Sequence, residues 1–342
     1  MESLAIKYRP HKFEDVVEQG STVTILNNQL TTDSIKHCYL FCGGAGTGKT
    51  TCARIFANEV NNGKGTIIEL DAASNNSVDD VRNIIEQAQT KPLEGKYKCF
   101  LIDECHALSN AGWQAFLKLI EEPPATAIFL FCTTDPQKIP KTIISRVQRY
   151  QFQRISTEGI INRLAYVLEA EGISTPTHDG QKAVEYIARI ADGGMRDALT
   201  MLDKCLAYNE QLTLTNVMEA LNLADYNKFI KLSTALFDKD TREIINIIED
   251  IHSSGFDLKQ FIKQYVEFLL DICKYNTCED ISYTQLPDTT EIDEFLDLVT
   301  TENLASDCLD LLDLILGIDR EIKFSPNPKV YIESALLVGG RN

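Results

Sequence analysis

Residues 43–50 read GGAGTGKT, which fits the pattern G-x-x-x-x-G-K-[ST]. They fall between an apolar run, CYLFC, and a segment of helical period, KTTCARIFANEV. Gly43, Gly44, Gly46 and Gly48, with Ala45 and Thr47 between them, allow the chain to wrap a phosphate group with backbone N–H groups pointing inward. Lys49 is then placed to reach β- and γ-phosphates and the Thr50 hydroxyl to bind Mg²⁺, with Thr51 completing the start of the helix. Further on, CFLIDECH sets Asp103 and Glu104 at the carboxyl end of a buried strand, where open α/β sheets form their ligand crevice. An aspartate there can hold Mg²⁺, and the adjacent glutamate can orient or deprotonate an attacking water. The pair points to hydrolysis of ATP rather than binding alone. Thr133 and Thr134 end the next strand; a hydroxyl there can bond a phosphate or a water, or can serve as a simple cap.

These groups need a scaffold, and residues 1–155 supply the pattern of one. CYLFCG, GTIIELDA, YKCFLIDE and TAIFLFCTT are short apolar runs, as strands buried on both faces require. Helical segments separate them, and one of these, NAGWQAFLKLIEE, stops at Pro123 and Pro124. The spacing predicts an α/β nucleotide-binding domain with a parallel sheet. From residue 156 the strand signal fades. A helical unit is predicted over 156–222, and further helices over 223–342, with a long loop at NTCEDISYTQLPDTTE.

The 342 residues include 33 Lys and Arg against 50 Asp and Glu, a net charge of −17. Residues 1–155 carry 17 basic and 17 acidic side chains and residues 156–342 carry 16 and 33, so the whole excess lies in the second part. Net charge therefore gives no drive toward nucleic acid, although the neutral part can still present basic residues on one face. No apolar run is long enough to span a membrane and no secretory leader is visible, so a cytoplasmic protein without membrane partners is expected. The ten cysteines mostly sit inside apolar runs and form no C-x-x-C pair, which reads as buried free thiols and no zinc.

Beyond these patterns the chain resembles the clamp-loader branch of the AAA+ ATPases, most closely the gamma/tau subunits of bacterial DNA polymerase III. The matching stretches are KYRPHKFEDVVEQ, HCYLFCGGAGTGKTT, IIELDAASNNSVDDVR, KCFLIDECHALS, FLKLIEEPP, FCTTDPQKIPKTIISR and GGMRDALT, which run in order over residues 7–200. The resemblance implies a helical lid after the AAA+ domain, then an all-helical collar that holds subunits together. It implies that Tyr8, Arg9, Pro10, Val16 and Val17 line an adenine pocket. Thr134 takes the sensor 1 position and Arg196, in the lid, the sensor 2 position. Arg146 matches an arginine finger that completes a neighbouring subunit's ATP site. Without the resemblance, Arg196 reads as a helix-start residue paired with Asp197 or Asp192, and Arg146 as a solvated helix-end arginine.

The family's partners are other clamp-loader subunits in a pentamer, a sliding clamp, and primer–template DNA gripped by helix N-termini. SNNSVDDVR opens such a helix, which makes Asn75, Asn76 and Arg82 the candidate DNA contacts. Three departures stand out. The four-cysteine zinc module that usually follows the phosphate-loop helix is replaced by NNGKG, SRC reads SRV, and with the chain ending at Asn342 no tau tail is expected. Two other readings predict different sequences. A branch-migration motor or helicase loader would add a winged helix with a β-hairpin signal after the lid. A non-catalytic structural subunit would lose Lys49 or the acidic pair.

Overall fold

The computed structural model describes residues 2–339 apart from 66, 76, 174–176, 222–225, 281–282, 285, 287–289 and 302–303. The chain divides into two compact units. One comprises Met1–Thr175 with Ile187–Ala207, the other Pro176–Tyr186 with Tyr208–Asn342.

The first unit is built on five parallel strands: β1 (Cys38–Cys42), β2 (Ile67–Asp71), β3 (Lys98–Asp103), β4 (Ala127–Thr133) and β5 (Gln148–Gln151). Their order across the sheet is β2-β3-β4-β1-β5. β1 and β4 are buried at every position, which is why their sequences are unbroken apolar runs. β5 differs: QRYQ lies at the sheet edge with only Tyr150 buried, so it carries no apolar run and is absent from the strands that the sequence predicts.

Around the sheet lie α1 (Leu4–Lys7), α2 (Gly20–Thr31), α3 (Lys49–Glu59), α4 (Val78–Ala88), α5 (Asn110–Glu121) and α6 (Lys141–Ile144). Alternation along the strands sends side chains to two layers. Leu40, Phe100, Ile102, Phe129 and Phe131 pack with Val81 and Ile84 of α4 and with Trp113 and Phe116 of α5. Tyr39, Phe41, Leu101, Ile128 and Leu130 pack with Leu26 of α2 and with Cys52 and Phe56 of α3. Ser77 opens α4 with a capping box to Asp80, and Ser109 caps α5 through the Gly112 N–H. α2 was missed in the sequence because its threonines and asparagines are weak helix formers and its apolar stripe is narrow.

A single side chain joins the far end of α3 to the start of β3. The Asn61 carboxamide donates to the Tyr97 carbonyl at 2.8 Å and accepts from the Lys96 and Tyr97 N–H groups at 2.9 and 2.8 Å. Gly95 makes room for it, since a Cβ there would lie 2.8 Å from Asn61 Oδ1.

After the sheet come α7 (Thr157–Ala170), α8 (His178–Ile190), which the division between the units crosses, and α9 (Met195–Tyr208). The second unit continues with α10 (Leu214–Ala220), α11 (Tyr226–Phe237), α12 (Thr241–Ser253), α13 (Leu258–Cys278), α14 (Thr290–Thr301), α15 (Ala305–Ile322) and α16 (Pro328–Gly339). α13 packs chiefly on α15. Phe229, Phe261, Tyr265 and Phe268 stack in its core, with the buried Tyr265 hydroxyl satisfied by Ser233 at 2.9 Å. The predicted loop at 276–291 is shorter than expected, because α13 runs to Cys278 and α14 begins at Thr290. Among the described residues no helix is long and apolar enough to cross a membrane.

Nine of the ten cysteines are buried and Cys278 is exposed. Burial pushes the thiols of Cys38, Cys52 and Cys99 up to about 12. These groups are packing material rather than nucleophiles.

Phe131 touches Trp113 and Phe116 at ring-centroid distances of 5.6 and 5.5 Å and is fully buried. Phe131→Ala is expected to destabilise the first unit by about 3–5 kcal/mol. Trp113 is the chain's one tryptophan, so its fluorescence during denaturant unfolding reports that loss directly.

Candidate nucleotide site

The loop from Gly43 to Gly48 leaves the end of β1, and α3 begins at Lys49. Gly48 sits at the helix N-cap with φ 99°, and Gly46 has φ 67°, conformations that L side chains adopt only with strain. A Cβ on Gly46 would also lie 2.9 Å from Gly194 Cα, where the Met195 N–H donates to the Gly46 carbonyl at 3.1 Å. The start of α9 is thus pinned to the loop. Thr47 donates its hydroxyl to the Gly44 carbonyl at 2.9 Å and tightens the turn.

Lys49 is buried at 6% exposure, and its ammonium donates to the Gly43 and Gly44 carbonyls at 3.0 and 2.6 Å. Burial pulls its pKa down, while Glu104 and Asp103 nearby act in the opposite direction. A cation held by neutral carbonyls inside a cleft is prepared for an anionic ligand.

The acidic pair faces this lysine. Thr50 Oγ1 donates to Asp103 Oδ2 at 2.9 Å, which brings together the two hard oxygen donors suited to Mg²⁺. Among the described residues no cluster of three or more His, Cys, Asp or Glu is placed to hold a metal. Two protein donors alone would leave the rest of an ion's shell to phosphate and water, a pattern common for Mg²⁺. Glu104 has φ 45°, a left-handed conformation that for such a residue costs on the order of 1 kcal/mol or more. Three contacts hold it there. Its N–H donates to Asp103 Oδ1 at 3.0 Å, Thr134 Oγ1 donates to its Oε2 at 3.0 Å, and His106 Nδ1 lies 3.2 Å from the same oxygen. His106 Nδ1 is also 3.1 Å from Thr133 Oγ1, and the Thr133 hydroxyl accepts the Asp135 N–H at 3.0 Å. The two threonines therefore differ: Thr134 holds the glutamate, while Thr133 is fully buried and braces the loop.

Tyr8, Arg9, Pro10, Val16 and Val17 line the same cleft as residues 45–51, Asp103, Glu104 and Arg196. Gly43 and Gly44 contribute their carbonyls to Lys49 behind that lining. Burial lowers the pKa of Arg9, with Arg54 and Arg196 adding repulsion, so positive charge gathers at this wall of the cleft. Arg196 lies in the first turn of α9, and the Asp192 carboxylate is taken by Arg154. Ile155, Arg163, Met195 and Leu199 also line the cleft and were missed in the sequence. Arg163 resembles any polar-face arginine of an amphipathic helix, and no local pattern sets it apart. His106 was missed too, although its place in DECH beside the acidic pair was visible.

Other candidates lie elsewhere. Arg146 follows α6, donates to the Thr142 carbonyl at 2.8 Å, and pairs with Glu121 at 2.9 Å beside a separate hollow. The Asn75 side chain donates to the Asp71 carbonyl at 3.2 Å. Arg82 pairs with Asp79 at 3.0 Å on the exposed first turn of α4, whose N-terminus already carries the Ser77–Asp80 capping box. Asn76 lies outside the described residues.

Three family models match in succession. One described as DNA polymerase III, delta subunit, covers residues 66–156. One for the ATPase lid domain of DNA polymerase III clamp loader subunits covers 159–211, and one for domain III of DNA polymerase III subunits gamma and tau covers 212–338. The chain is 32% identical to the DNA polymerase III tau subunit of Bacillus subtilis over 96% of its own length and 62% of that protein's. It is 31% identical to the gamma subunit of Buchnera aphidicola from Acyrthosiphon pisum, over 98% of its own length and 97% of that protein's. With the tau subunit of Escherichia coli K12 the identity is 33%, over 78% of this chain and 44% of the relative. Among solved structures, the Thermotoga maritima RuvB Holliday junction branch migration motor superposes with a TM-score of 0.52 at 16% identity, covering 73% of this chain and 86% of that one. That is a likeness of fold alone, and the shared fold is the AAA+ architecture. Taken with the matched models and the near full-length Buchnera relative, the chain belongs to the gamma/tau family of DNA polymerase III clamp-loader subunits.

Proposed function

We propose that this chain is an ATPase motor subunit of a DNA sliding-clamp loader. The observation that carries the reading is the convergence of Lys49, Thr50, Asp103, Glu104 and Arg196 on one cleft in a chain of this family. Lys49 exchanges its two loop carbonyls for β- and γ-phosphate oxygens, which are stronger acceptors because they are charged. Thr50 and Asp103 would hold Mg²⁺, which when bound would offset the negative charge of the phosphates. Glu104 orients the attacking water and draws its proton, with Thr134 keeping the carboxylate in place. Arg196 reads the phosphates from α9, and the Tyr8–Val17 wall receives adenine. No zinc takes part.

Arg146 acts on another subunit's ATP. Its position beside Glu121, outside its own cleft, supports that reading. The pair is exposed and worth at most about 1 kcal/mol, so a neighbour's γ-phosphate can displace the carboxylate. Turnover then depends on assembly, in a pentamer of clamp-loader subunits with residues 1–155 as motor, 156–222 as lid and 223–342 as collar. ATP binding opens the clamp, and primer–template DNA triggers hydrolysis and release in the cytoplasm. Asn75, Asn76 and Arg82 meet the DNA backbone, where Arg82 must exchange Asp79 for phosphate.

Glu104→Gln is expected to lower turnover by about 10²–10⁴-fold while ATP binding is retained, as read by steady-state hydrolysis beside equilibrium binding. In the assembled loader, Arg146→Ala should remove DNA-stimulated hydrolysis by on the order of 10³-fold, and a variant with wild-type turnover excludes the finger role. Arg82→Ala should reduce the slope of log affinity against log salt for primed DNA by about 1.

A further inference from the structure

α7 makes a set of polar contacts that the phosphate chemistry does not use, and all of them fall on one short stretch of the N-terminal segment. Arg163 lines the cleft, and its Nη2 donates to the Tyr8 carbonyl at 2.9 Å. The Arg163 guanidinium lies 5.0 Å from the centre of the Tyr166 ring, and Tyr166 meets the Tyr8 ring edge-on at 6.3 Å. At the C-terminal end of the helix, Glu171 Oε1 accepts from the Tyr8 hydroxyl and from Lys7 Nζ, each at 2.5 Å. Tyr8 is therefore fixed by its backbone, its ring and its hydroxyl.

The segment needs such fixing. α1 has only four residues and residues 2–12 pair with no strand, so backbone pairing alone holds this stretch weakly. Each contact is modest alone, but three of them converge on one residue that faces the cleft.

We propose that Arg163 and Glu171 are positioning residues of the nucleotide cleft: they hold the Tyr8–Pro10 segment as the wall against the nucleoside. On this assignment α7 sets affinity for the base and sugar, and the Gly43–Thr50 loop sets affinity for the phosphates. The inference rests on the ATP reading of the cleft.

Two probes separate these contributions: ATP, and inorganic tripolyphosphate, which carries the phosphate chain without a nucleoside. Binding of each to the full chain is measured by titration calorimetry with Mg²⁺ present. Arg163→Ala and Glu171→Ala are each expected to weaken ATP about tenfold, the effect of one or two lost hydrogen bonds, and to leave tripolyphosphate within about twofold. Glu171→Gln keeps an acceptor for the Tyr8 hydroxyl and should recover most of the ATP affinity. Equal weakening of both ligands overturns the proposal, because it indicates a general disturbance of the cleft. Unchanged ATP affinity in both alanine variants overturns it as well. If the wild-type chain binds neither probe, the ATP reading itself fails, and this inference fails with it.

Discussion

Three parallel strands must end level with one another for the cleft to exist. The register pairs Cys42 with Thr133, Phe131 with Ile102 and Asp103 with Asp71, so each strand delivers its next residue to the same edge of the sheet. The loop starting at Gly43, the Asp103–Glu104 pair and Thr134 all emerge there. The Gly43 N–H donates to the Thr133 carbonyl at 3.3 Å and extends the pairing one step past the strands. A slip of one residue in β4 would carry Thr134 about 3.3 Å along the strand, too far for its 3.0 Å bond to Glu104. The continuous burial of β1 and β4, with aromatic side chains interlocked on both faces, is what forbids that slip.

Electrostatics follow from the same edge. A lysine at 6% exposure is unfavourable in isolation, and the nearby carboxylates of Asp103 and Glu104 offset part of its desolvation. The acidic groups are themselves held by hydroxyls and N–H groups of the protein, which fix their orientation. The chain's negative excess lies after residue 155, so the strands, the Gly43–Thr50 loop and the acidic pair belong to an electrically balanced stretch.

Much of this was legible in the sequence, for physical reasons that differ by element. β1 and β4 are buried on both faces and must be apolar throughout, so they announce themselves. The Gly43–Thr50 loop needs particular residues at fixed spacing, and its partners Asp103 and Glu104 sit at a strand end. β5 stayed hidden because an edge strand with one buried tyrosine has no pattern of its own. After residue 156 the sequence shows helices without their limits, since boundaries within an all-helical unit are weakly marked. Arg163 was missed for another reason: its role comes from approach in space to Tyr8, which no local spacing encodes, whereas His106 stands in view two residues after Glu104.

Asn61 shows how the connection between α3 and β2 can vary in length. Its carboxamide fastens the C-terminal end of α3 directly to Lys96 and Tyr97, so the residues that follow are not needed to hold the helix against the sheet. Extra chain placed between Gly63 and Ile67 would hang from ends that are already secured, and lengthening such a surface loop adds only a slowly growing entropic term. A longer connection at this point is thus compatible with the same cleft geometry. The same site offers a tolerant position for inserting a peptide tag or a reporter domain at the surface, on the side of α3 away from the phosphate loop.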